Sequence, residues 1–459
     1  MPESAPVAVS SRPGVSASGP IVVIVGAGMG GLTAARALRK SPVQVIVLDR
    51  MNHNLFQPLL YQVATAELSP GQIAEPVRAL LRKQKNTTTL LAEVTAVDTA
   101  NKLVLAKDVD REDVPVRYDY LILATGARGS YFGHDEFARY APGLKSVADA
   151  LAIRNKIFEA FERAEAEADP RAHRDLLTFV LVGGGPAGVE MAGAIASLVR
   201  KTLRAEFRRI DPTTARVVLI DAGPRLLRLV GAKPAQAARE RLESLGVEIR
   251  VGQRVEHVDE SGVIVGGERI LSPNVFWTAG VEPSPAGRWL GAPMDRAGRV
   301  RVQPDLSVPG HGDIFVIGDT ATLELDGAVL PGVAQVAIQQ GRHVGRVLDA
   351  RVRGRPEPRE FRYFDKGNMA VVGPGYAVLQ SGRFQLAGSL AFLVWAFIHI
   401  LYLARASQRV SVFMQWVWTY LTQQQGSRLI VNPREAGAQP STEAARARPV
   451  LARSAAQSH

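Results

Sequence analysis

An α/β fold with two doubly wound parallel-sheet domains is the architecture that this sequence predicts, and three observations predict it. The pattern Gly-x-Gly-x-x-Gly occurs twice, in IVVIVGAGMGG (residues 21–31) and in FVLVGGGPAG (residues 179–188). Each copy follows an apolar run rich in β-branched residues and precedes a helical pattern. An acidic residue ends the next strand-like run after each copy. This arrangement is typical of a Rossmann-like dinucleotide-binding unit, so we expect two such units.

The first fingerprint carries its glycines at Gly26, Gly28 and Gly31. In such a turn the first glycine permits the tight bend, the second lets the backbone approach a pyrophosphate, and the third lets the helix pack on the strand. The N-terminus of the following helix offers unpaired N–H groups and a positive dipole end to the phosphates. Asp49 ends VQVIVLD, where an acceptor for a ribose hydroxyl is expected.

The second fingerprint carries its glycines at Gly183, Gly185 and Gly188. Asp221 ends the run RVVLID, and we expect one long helix, from about residue 186 to residue 209, to fill the gap before it. Ala222 and Gly223 follow Asp221, so no cation stands directly beside this carboxylate. It would repel a 2′-phosphate, which favours NADH over NADPH, although Arg225 lies nearby.

Two further segments lie between and after the fingerprints. YDYLILATGA (residues 118–127) runs into Ala124, Thr125 and Gly126, where the backbone could pass close to a nucleotide. GDIFVIGDTA (residues 312–321) enters Gly318 and Asp319, whose carboxylate could accept a hydrogen bond from a ribityl hydroxyl. Either segment alone could be an ordinary exit from a strand, but their order along the chain is informative.

In that order, residues 20–320 resemble the flavoproteins with two dinucleotide-binding domains, the glutathione-reductase-like superfamily. The resemblance implies that the first fingerprint and the Gly-Asp segment bind FAD non-covalently, and that the second fingerprint binds the nicotinamide nucleotide. It implies an FAD-binding domain at residues 20–149 and 281–373 and an NADH-binding domain at residues 150–280.

Three narrower motifs resemble those of the type II NADH:quinone oxidoreductases, which are single-subunit enzymes that do not pump protons. They are NHNLFQPLLYQVAT (residues 52–65), AQVAIQQG (334–341) and FRYFDKGNMAVVG (361–373), and they extend the resemblance to about residues 20–433. The resemblance implies that Gln335 and Gln339 lie beside the flavin where quinone docks, and that Lys366 belongs to the same site. Glu190 would handle protons or orient the nicotinamide. Ala187, where threonine is common in this family, is a mild departure.

The resemblance therefore gives a set of site residues. The expected FAD-binding residues are Gly26, Gly28, Gly31, Asp49, Val94, Ala124, Thr125, Gly126, Gly318 and Asp319. The expected NADH-binding residues are Gly183, Gly185, Gly188, Glu190, Asp221 and Gly280. The expected catalytic residues are Glu190, Gln335, Gln339 and Lys366. No metal is expected. Hydride would pass from NADH to the flavin N5, and two electrons would then reduce a membrane quinone.

Structural explanations of the catalytic candidates stay open on the residues alone. Gln335 and Gln339 lie one helical turn apart and could form a solvated face. Lys366 could form a surface ion pair with Asp365 or Asp349. Glu190 lies near the start of its helix and could complement the helix dipole.

Composition narrows the function further. The chain has 459 residues, a formal net charge of +11 and no cysteine. Without cysteine, a sulfide:quinone reductase, a disulfide reductase and a thiolate metal site are excluded. No nucleic-acid motif accompanies the charge, so we expect no nucleic-acid partner and attribute the charge to a membrane surface or to solubility. A ferredoxin- or rubredoxin-type reductase, or an NADH-sensing flavoprotein whose tail binds a partner, remain alternatives.

The C-terminal region, residues 374–433, is expected to hold amphipathic, membrane-associated helices. LAGSLAFLVWAFIHILYL (residues 386–403) has no charge, and a second helix from about Arg409 carries an apolar stripe. That stripe consists of Val410, Phe413, Met414, Val417 and Leu421, with Trp416, Trp418 and Tyr420 beside it. Residues 381–433 hold four arginines and no aspartate, glutamate or lysine, which favours an anionic leaflet.

A peripheral, monotopic enzyme on the cytoplasmic face of the inner membrane is the resulting prediction. Whether residues 386–403 span the membrane or lie on it, and whether the region instead forms a homodimer or domain interface, stays open. His399 is expected to be a hydrogen-bonded residue without chemistry. Residues 1–19 are rich in serine, proline, glycine and alanine, and residues 434–459 have almost no large apolar residues, so both are expected to be disordered tails.

Overall fold

A computed structural model describes residues 19–204 and 206–431 of the protein. The tails predicted at residues 1–19 and 434–459 lie outside the described residues, apart from Gly19.

The first fingerprint lies in a six-stranded sheet. In spatial order its strands are Ser307–Val308, His311–Val316, Tyr120–Leu123, Ile21–Val25, Gln44–Asp49 and Thr87–Leu91. All neighbours pair in parallel except the first two, which are antiparallel. Val22 and Ile24 pack into one apolar cluster and Val23 and Val25 into another, so both faces are covered. This explains the uninterrupted β-branched run, because a parallel strand is buried on both sides.

The second fingerprint lies in a four-stranded parallel sheet of the same kind. Its strands, in spatial order, are Val247–Val251, Arg216–Asp221, Thr178–Val182 and Asn274–Trp277. Phe179 and Leu181 pack on one side, and Val180 and Val182 on the other. A ribbon of Ala127–Gly129 and Val281–Pro283 connects the two sheet systems. The predicted α/β class with two doubly wound sheets is confirmed.

Smaller sheets and the helices complete the structure. Antiparallel three-stranded sheets are formed by Glu93–Asp98, Leu103–Lys107 and Val114–Arg117, by Val255–Asp259, Gly262–Val265 and Glu268–Leu271, and by Asn368–Val371, Ala377–Ser381 and Phe384–Gly388. Two-stranded pairs are His53–Leu55 with Ala74–Pro76, Val300–Arg301 with Ala321–Thr322, and Glu324–Leu325 with Ala328–Val329. The α-helices are Met29–Ala37, Leu60–Ala64, Pro70–Ile73, Val77–Leu81, Val147–Ala166, Pro170–Leu176, Pro186–Ser197, Ala232–Ser244, Ala286–Leu290, Ala334–Val352, Ser389–Tyr402 and Ala406–Thr422.

Close packing of two helices explains the last glycine of AQVAIQQG. Helix Ala334–Val352 lies against helix Met29–Ala37, and a Cβ on Gly341 would stand 2.2 Å from the carbonyl oxygen of Gly30. A Cβ on Gly345 would stand 2.4 Å from the Cβ of Ala37. Gly341 is glycine because the two backbones approach each other there, and at Gly345 a side chain would collide with that of Ala37.

The helix after the second fingerprint is shorter than predicted. It covers Pro186–Ser197 and continues into a π-helical turn, Leu198–Thr202, rather than running to residue 209. The chain then reaches the next strand through a 3₁₀ turn at Pro212–Thr214. Leu198 and Val199 of this wider turn are buried in the core.

The C-terminal helices pack on the core and expose an apolar face. Residues 386–388 belong to strand Phe384–Gly388, and the helix Ser389–Tyr402 has 14 residues. Trp395 and Val412 are buried in the largest apolar cluster. Trp416 also points inward and donates from Nε1 to Oε1 of Gln62 at 2.9 Å. Within the described residues, no helix combines the length and the apolar character that a membrane crossing requires.

The expectation of unopposed positive charge in this region is wrong for two arginines. Arg405 forms an ion pair with Glu75, and Arg428 forms one with Glu206. Both acids come from distant parts of the sequence, so composition counted over residues 381–433 could not reveal them.

Candidate active site

A cavity of about 1540 Å³ lies where the carboxyl ends of the two parallel sheets face each other. Small-molecule sites commonly measure ~300–1,000 Å³, so this cavity has room for more than one ligand. It is lined by residues of both fingerprints, by the segment Ala124–Gly126, by Gly318 and Asp319, and by residues of helix Ser389–Tyr402.

Hydrogen bonds to Asp49 hold the first fingerprint turn in place. Asp49 accepts a hydrogen bond from the backbone N–H of Ala27 at 2.6 Å and from that of Met51 at 2.7 Å. Burial raises the pKa of Asp49, and these two backbone donors oppose the shift. A Cβ on Gly31 would stand 1.8 Å from the carbonyl oxygen of Gly26, so this glycine permits the helix to start here.

The space around Gly28 shows whether a dinucleotide fits against this turn. It lines the cavity, and a Cβ built on it would meet no atom within 4 Å, so open space adjoins the backbone at the helix N-terminus. Asp319 also lines the cavity, and its carboxylate has no hydrogen-bond partner among the described residues. An open phosphate cradle and a free acceptor for a hydroxyl fit FAD.

Hydroxyl and amide groups fix the segments between these two features. Thr320 donates from its hydroxyl to the carbonyl oxygen of Gly126 at 3.0 Å and lies 3.2 Å from the hydroxyl of Thr125. Gln340 accepts from the N–H of Gly318 at 2.7 Å through its buried amide. Gly126 and Gly318 both have positive φ, +66° and +71°, which explains why each position is glycine.

Lys145 faces Asp319 across the cavity and was not predicted. Burial lowers the pKa of Lys145, and the nearby Asp319 opposes that shift. Burial raises the pKa of Asp319, and Lys145 opposes that shift in turn. No sequence motif marks this lysine, which lies 174 positions before Asp319 in the chain.

The second fingerprint repeats the geometry of the first. Asp221 accepts from the N–H of Gly184 at 2.6 Å and from that of Gly223 at 2.6 Å. A Cβ on Gly188 would stand 1.8 Å from the carbonyl oxygen of Gly183. Gly185 and Asp221 line the cavity, whereas Gly183 and Gly188 lie behind the turn and permit it to form.

Of the two arginines near Asp221, Arg225, which the sequence singled out, contacts the backbone, and Arg228 lines the cavity. The guanidinium of Arg225 donates to the carbonyl oxygens of Val230 at 2.8 Å and Arg228 at 3.4 Å, so the backbone occupies it. Arg228, which the sequence did not single out, lines the cavity beside Gly223.

Glu190 is buried and lines the cavity. Its Oε1 accepts from the N–H of Val371 at 3.4 Å, and burial raises the pKa of Glu190 to about 8. Tyr61 is buried beside it, and burial together with Glu190 raises the pKa of Tyr61. Burial thus disfavours the ionised carboxylate that would complement the helix dipole.

Both predicted glutamines form hydrogen bonds to the loop of residues 364–367. Gln339 accepts from the N–H of Phe364 at 3.0 Å and donates to its carbonyl oxygen at 2.9 Å. Gln335 accepts from the N–H of Lys366 at 3.0 Å and donates to the carbonyl oxygen of Gly367 at 3.1 Å. Both half-exposed amides are therefore bonded to protein as well as open to solvent, and they hold in place the loop that carries Lys366.

Lys366 donates from Nζ to the hydroxyl oxygen of Tyr402 at 2.7 Å, and both residues line the cavity. The ion-pair alternative is wrong within the described residues. Asp365 instead accepts from the N–H of Gly367 at 2.8 Å, and Asp349 pairs with Arg353 at 2.8 Å. The C-terminal helix thus reaches the cavity through Tyr402.

Two of the residues predicted to bind nucleotides, Gly280 and Val94, differ in whether they line the cavity. Gly280 lines the cavity with φ of +72°, and a Cβ there would stand 2.5 Å from the ring of Phe132. Val94 is buried in an apolar cluster of its sheet, and its neighbour Glu93 lines the cavity instead. Contact between Val94 and FAD stays a prediction.

Comparison with known proteins gives consistent matches. The family model for pyridine nucleotide-disulphide oxidoreductases matches residues 20–341. The type II NADH:quinone oxidoreductase Ndh of Mycobacterium tuberculosis is 46% identical over 422 residues, which cover 90% of each chain. NdhA of the same organism is 43% identical over 424 residues, covering 90% of this chain and 89% of that protein. The structure of NDH2 from Plasmodium falciparum in complex with NADH superimposes with a TM-score of 0.81 at 19% identity, covering 90% of this chain and 99% of that one.

Proposed function

Because this chain belongs to the pyridine nucleotide-disulphide oxidoreductases, and within them to the type II NADH:quinone oxidoreductases, we propose how its residues divide the work of that reaction. The enzyme oxidises NADH and reduces quinone through FAD, without proton pumping. Bound FAD supplies the two-electron carrier between the two substrates. One observation carries the proposal: a single cavity joins both fingerprint turns to Lys366 and the C-terminal helix.

Residues 20–149 and 281–373 form the FAD-binding domain. The helix N-terminus at Gly28 would hold the pyrophosphate of FAD, and Asp49 would orient a ribose. Asp319 would accept a hydrogen bond from a ribityl hydroxyl, and Lys145, across the cavity, would balance its negative charge. The hydroxyls of Thr125 and Thr320 fix the backbone between these contacts.

Residues 150–280 bind NADH. The N-terminus of helix Pro186–Ser197 faces the pyrophosphate, and Asp221 faces the adenosine ribose. Two N–H groups of Arg225 donate to backbone carbonyl oxygens, which holds the guanidinium in place and leaves fewer donors for a 2′-phosphate. The carboxylate of Asp221 favours NADH, and Arg228, whose side chain lies beside Gly223, also lines the cavity.

Lys366 binds the quinone. Its ammonium group is positioned by Tyr402 and by the loop that both glutamines bind. From there it donates to a quinone carbonyl oxygen and stabilises the negative charge that develops on it. Gln335 and Gln339 act on quinone through the position of this loop. Glu190 holds a proton at neutral pH inside the cavity and is available to transfer it when quinone takes up protons.

The C-terminal helices dock on the membrane without crossing it. Leu390, Leu393 and Phe397 are 61%, 63% and 64% exposed on helix Ser389–Tyr402. On helix Ala406–Thr422 the exposed apolar residues are Val410, Phe413, Met414, Val417, Trp418, Tyr420 and Leu421. An apolar face of this extent marks an interaction surface. We assign it to anionic lipid on the cytoplasmic side of the inner membrane, where NADH is available. A homodimer through this face is the competing occupant.

Anaerobic assays of purified protein test this proposal. NADH should bleach the bound flavin, and a short-chain quinone should restore its absorbance and sustain NADH oxidation. Reduction of a protein acceptor such as ferredoxin, with no response to quinone, would instead favour a ferredoxin-type reductase. Monomers that sediment with lipid vesicles support the docking assignment, whereas dimers that ignore vesicles contradict it.

A further inference from the structure

His399 has a fixed tautomer. It lies in helix Ser389–Tyr402, and its Nδ1 stands 2.8 Å from the carbonyl oxygen of Trp395, one turn earlier. A carbonyl oxygen can only accept a hydrogen bond, so Nδ1 carries the proton. The Nε2 of the neutral ring is then a hydrogen-bond acceptor.

The ring of His399 is held rigidly and stays neutral. It stacks on Trp395 with ring centroids 4.3 Å apart and meets the edge of Phe56 at 6.0 Å. Burial lowers the pKa of His399 to about 4, so the imidazole is uncharged at physiological pH. The aromatic neighbours and the bond to Trp395 leave the ring little freedom to rotate.

Nε2 of His399 is free to receive a ligand. His399 lines the cavity together with Ile398 and Tyr402, and its Nε2 has no hydrogen-bond partner among the described residues. It also differs from the Nε2 of His343, which is fully enclosed without a partner. Tyr402, which contacts Lys366, lies three residues further along the same helix, so His399 adjoins the quinone end of the cavity.

We propose that Nε2 of His399 accepts a hydrogen bond from a hydroxyl group of the bound hydroquinone and so recognises the reduced product. This inference rests on the proposed function. A quinone carbonyl oxygen only accepts hydrogen bonds, as Nε2 does, whereas a hydroquinone hydroxyl donates. Lys366, which only donates, complements the oxidised substrate, and His399 complements the product.

The balance of the reaction is consistent with this role. Quinone takes up two electrons and two protons to become hydroquinone. The hydride of NADH supplies two electrons and one proton, and the second proton comes from solvent, with Glu190 available to relay it. His399 supplies no proton, because its Nδ1–H is engaged by Trp395 and its Nε2 carries none. It binds the hydroxyl that the reaction creates.

A comparison of two ligands isolates this contact. Binding of a short-chain hydroquinone and of its dimethyl ether to the detergent-solubilised, FAD-loaded enzyme would be measured anaerobically by calorimetry. The ether cannot donate a hydrogen bond. The measured quantity is the ratio of the affinity for hydroquinone to the affinity for its ether. In the wild type this ratio includes the hydrogen bond to Nε2, and in His399→Phe it should fall about 2- to 10-fold. Phenylalanine keeps a ring that stacks on Trp395, so the aromatic packing is largely retained.

Two further variants separate the ring atoms. His399→Gln places an amide near the position of Nε2 and should retain much of the preference. His399→Asn reaches only the position of Nδ1 and should lose it as His399→Phe does. If His399→Phe does not fold, the comparison of Gln with Asn still decides the matter. Flavin content and thermal unfolding report folding in each case.

The outcomes distinguish this inference from the proposed function. If the wild type neither reduces quinone with NADH nor binds hydroquinone, the proposed function itself is wrong. If the wild type does both, and the preference for hydroquinone over its ether is the same in all the variants, His399 does not contact the hydroxyl. Its ring then serves only to pack against Trp395 and Phe56.

Discussion

Replacing Glu190 with glutamine should make the folded protein more resistant to alkaline pH. Burial raises the pKa of Glu190 from 4.5 to about 8, so the folded state keeps a proton that the unfolded state releases. A raised folded-state pKa contributes stability that is fully present below about pH 4.5 and is lost as the pH rises through about 8. Glutamine cannot ionise, so the variant should not lose this contribution.

The size of the effect follows from the two pKa values. At about 1.36 kcal/mol per pKa unit, a change from 4.5 to about 8 corresponds to roughly 5 kcal/mol. Because Glu190 lines the cavity, water can solvate the ionised carboxylate and reduce this amount. We therefore expect the free energy of unfolding of Glu190→Gln, relative to wild type, to rise by roughly 2–5 kcal/mol between pH 5 and pH 9.

Denaturant unfolding of the FAD-loaded proteins at several pH values between 5 and 9, with a fixed FAD concentration, measures this difference. Glu248→Gln is the control that should show no change over this range, because a hydrogen bond from Arg216 lowers the pKa of Glu248 below its usual 4.5 and its contribution to stability therefore stays constant between pH 5 and pH 9. The contribution of Glu248 is present above its unfolded pKa and is lost as the pH falls. A Glu190→Gln difference that stays constant from pH 5 to pH 9 would refute the reasoning and show that Glu190 is ionised in the folded protein.

Four other changes test the remaining assignments. Lys366→Met should slow reoxidation of the flavin by quinone about 10- to 150-fold, the loss of a ~1.5–3 kcal/mol bond from a charged group, and leave its reduction by NADH largely intact. Equal slowing of both half-reactions in stopped flow would mean that the residue is structural. Leu393→Glu with Phe397→Glu should reduce co-sedimentation with anionic vesicles while activity with a soluble dye persists, and unchanged sedimentation would contradict lipid docking. Asp221→Asn should raise the NADPH-to-NADH ratio of kcat/KM about tenfold, since roughly 1.4 kcal/mol of charge repulsion is lost, and an unchanged ratio would place the 2′ position elsewhere. Gly31→Ala should abolish flavin content, because its Cβ would stand 1.8 Å from the carbonyl oxygen of Gly26; a variant that retains full flavin absorbance would contradict the close approach.

Local geometry made the fold and both nucleotide turns predictable from sequence. A Gly-x-Gly-x-x-Gly turn forms because its glycines lack side chains, as the 1.8 Å approaches at Gly31 and Gly188 demonstrate. The acids that fasten these turns, Asp49 and Asp221, end the neighbouring strand in each sheet. The apolar runs predicted the parallel strands because strands buried on both faces need such residues throughout.

The C-terminal region was predictable in part. The stripe from Val410 to Leu421 is exposed as its periodicity predicted, because helical spacing alone decides which residues share a face. Spacing does not reveal what covers the opposite face. Trp395 and Val412 are core residues, so these helices complete the fold as well as exposing an apolar surface.

By itself, therefore, the sequence determined the fold class, the family and the position of both nucleotide turns, because these depend on residue types at short spacing. Only the tertiary structure decided the chemical state of the site. Glu190 keeps its proton because helices and a sheet distant in sequence enclose it, and Val371, which donates to it, lies 181 positions away. The side-chain amides of Gln335 and Gln339 form hydrogen bonds to the backbone of a loop roughly 25–32 positions away, because the fold brings these groups together. Burial and hydrogen-bond partners set protonation and orientation, and both are properties of the folded chain rather than of any segment of it.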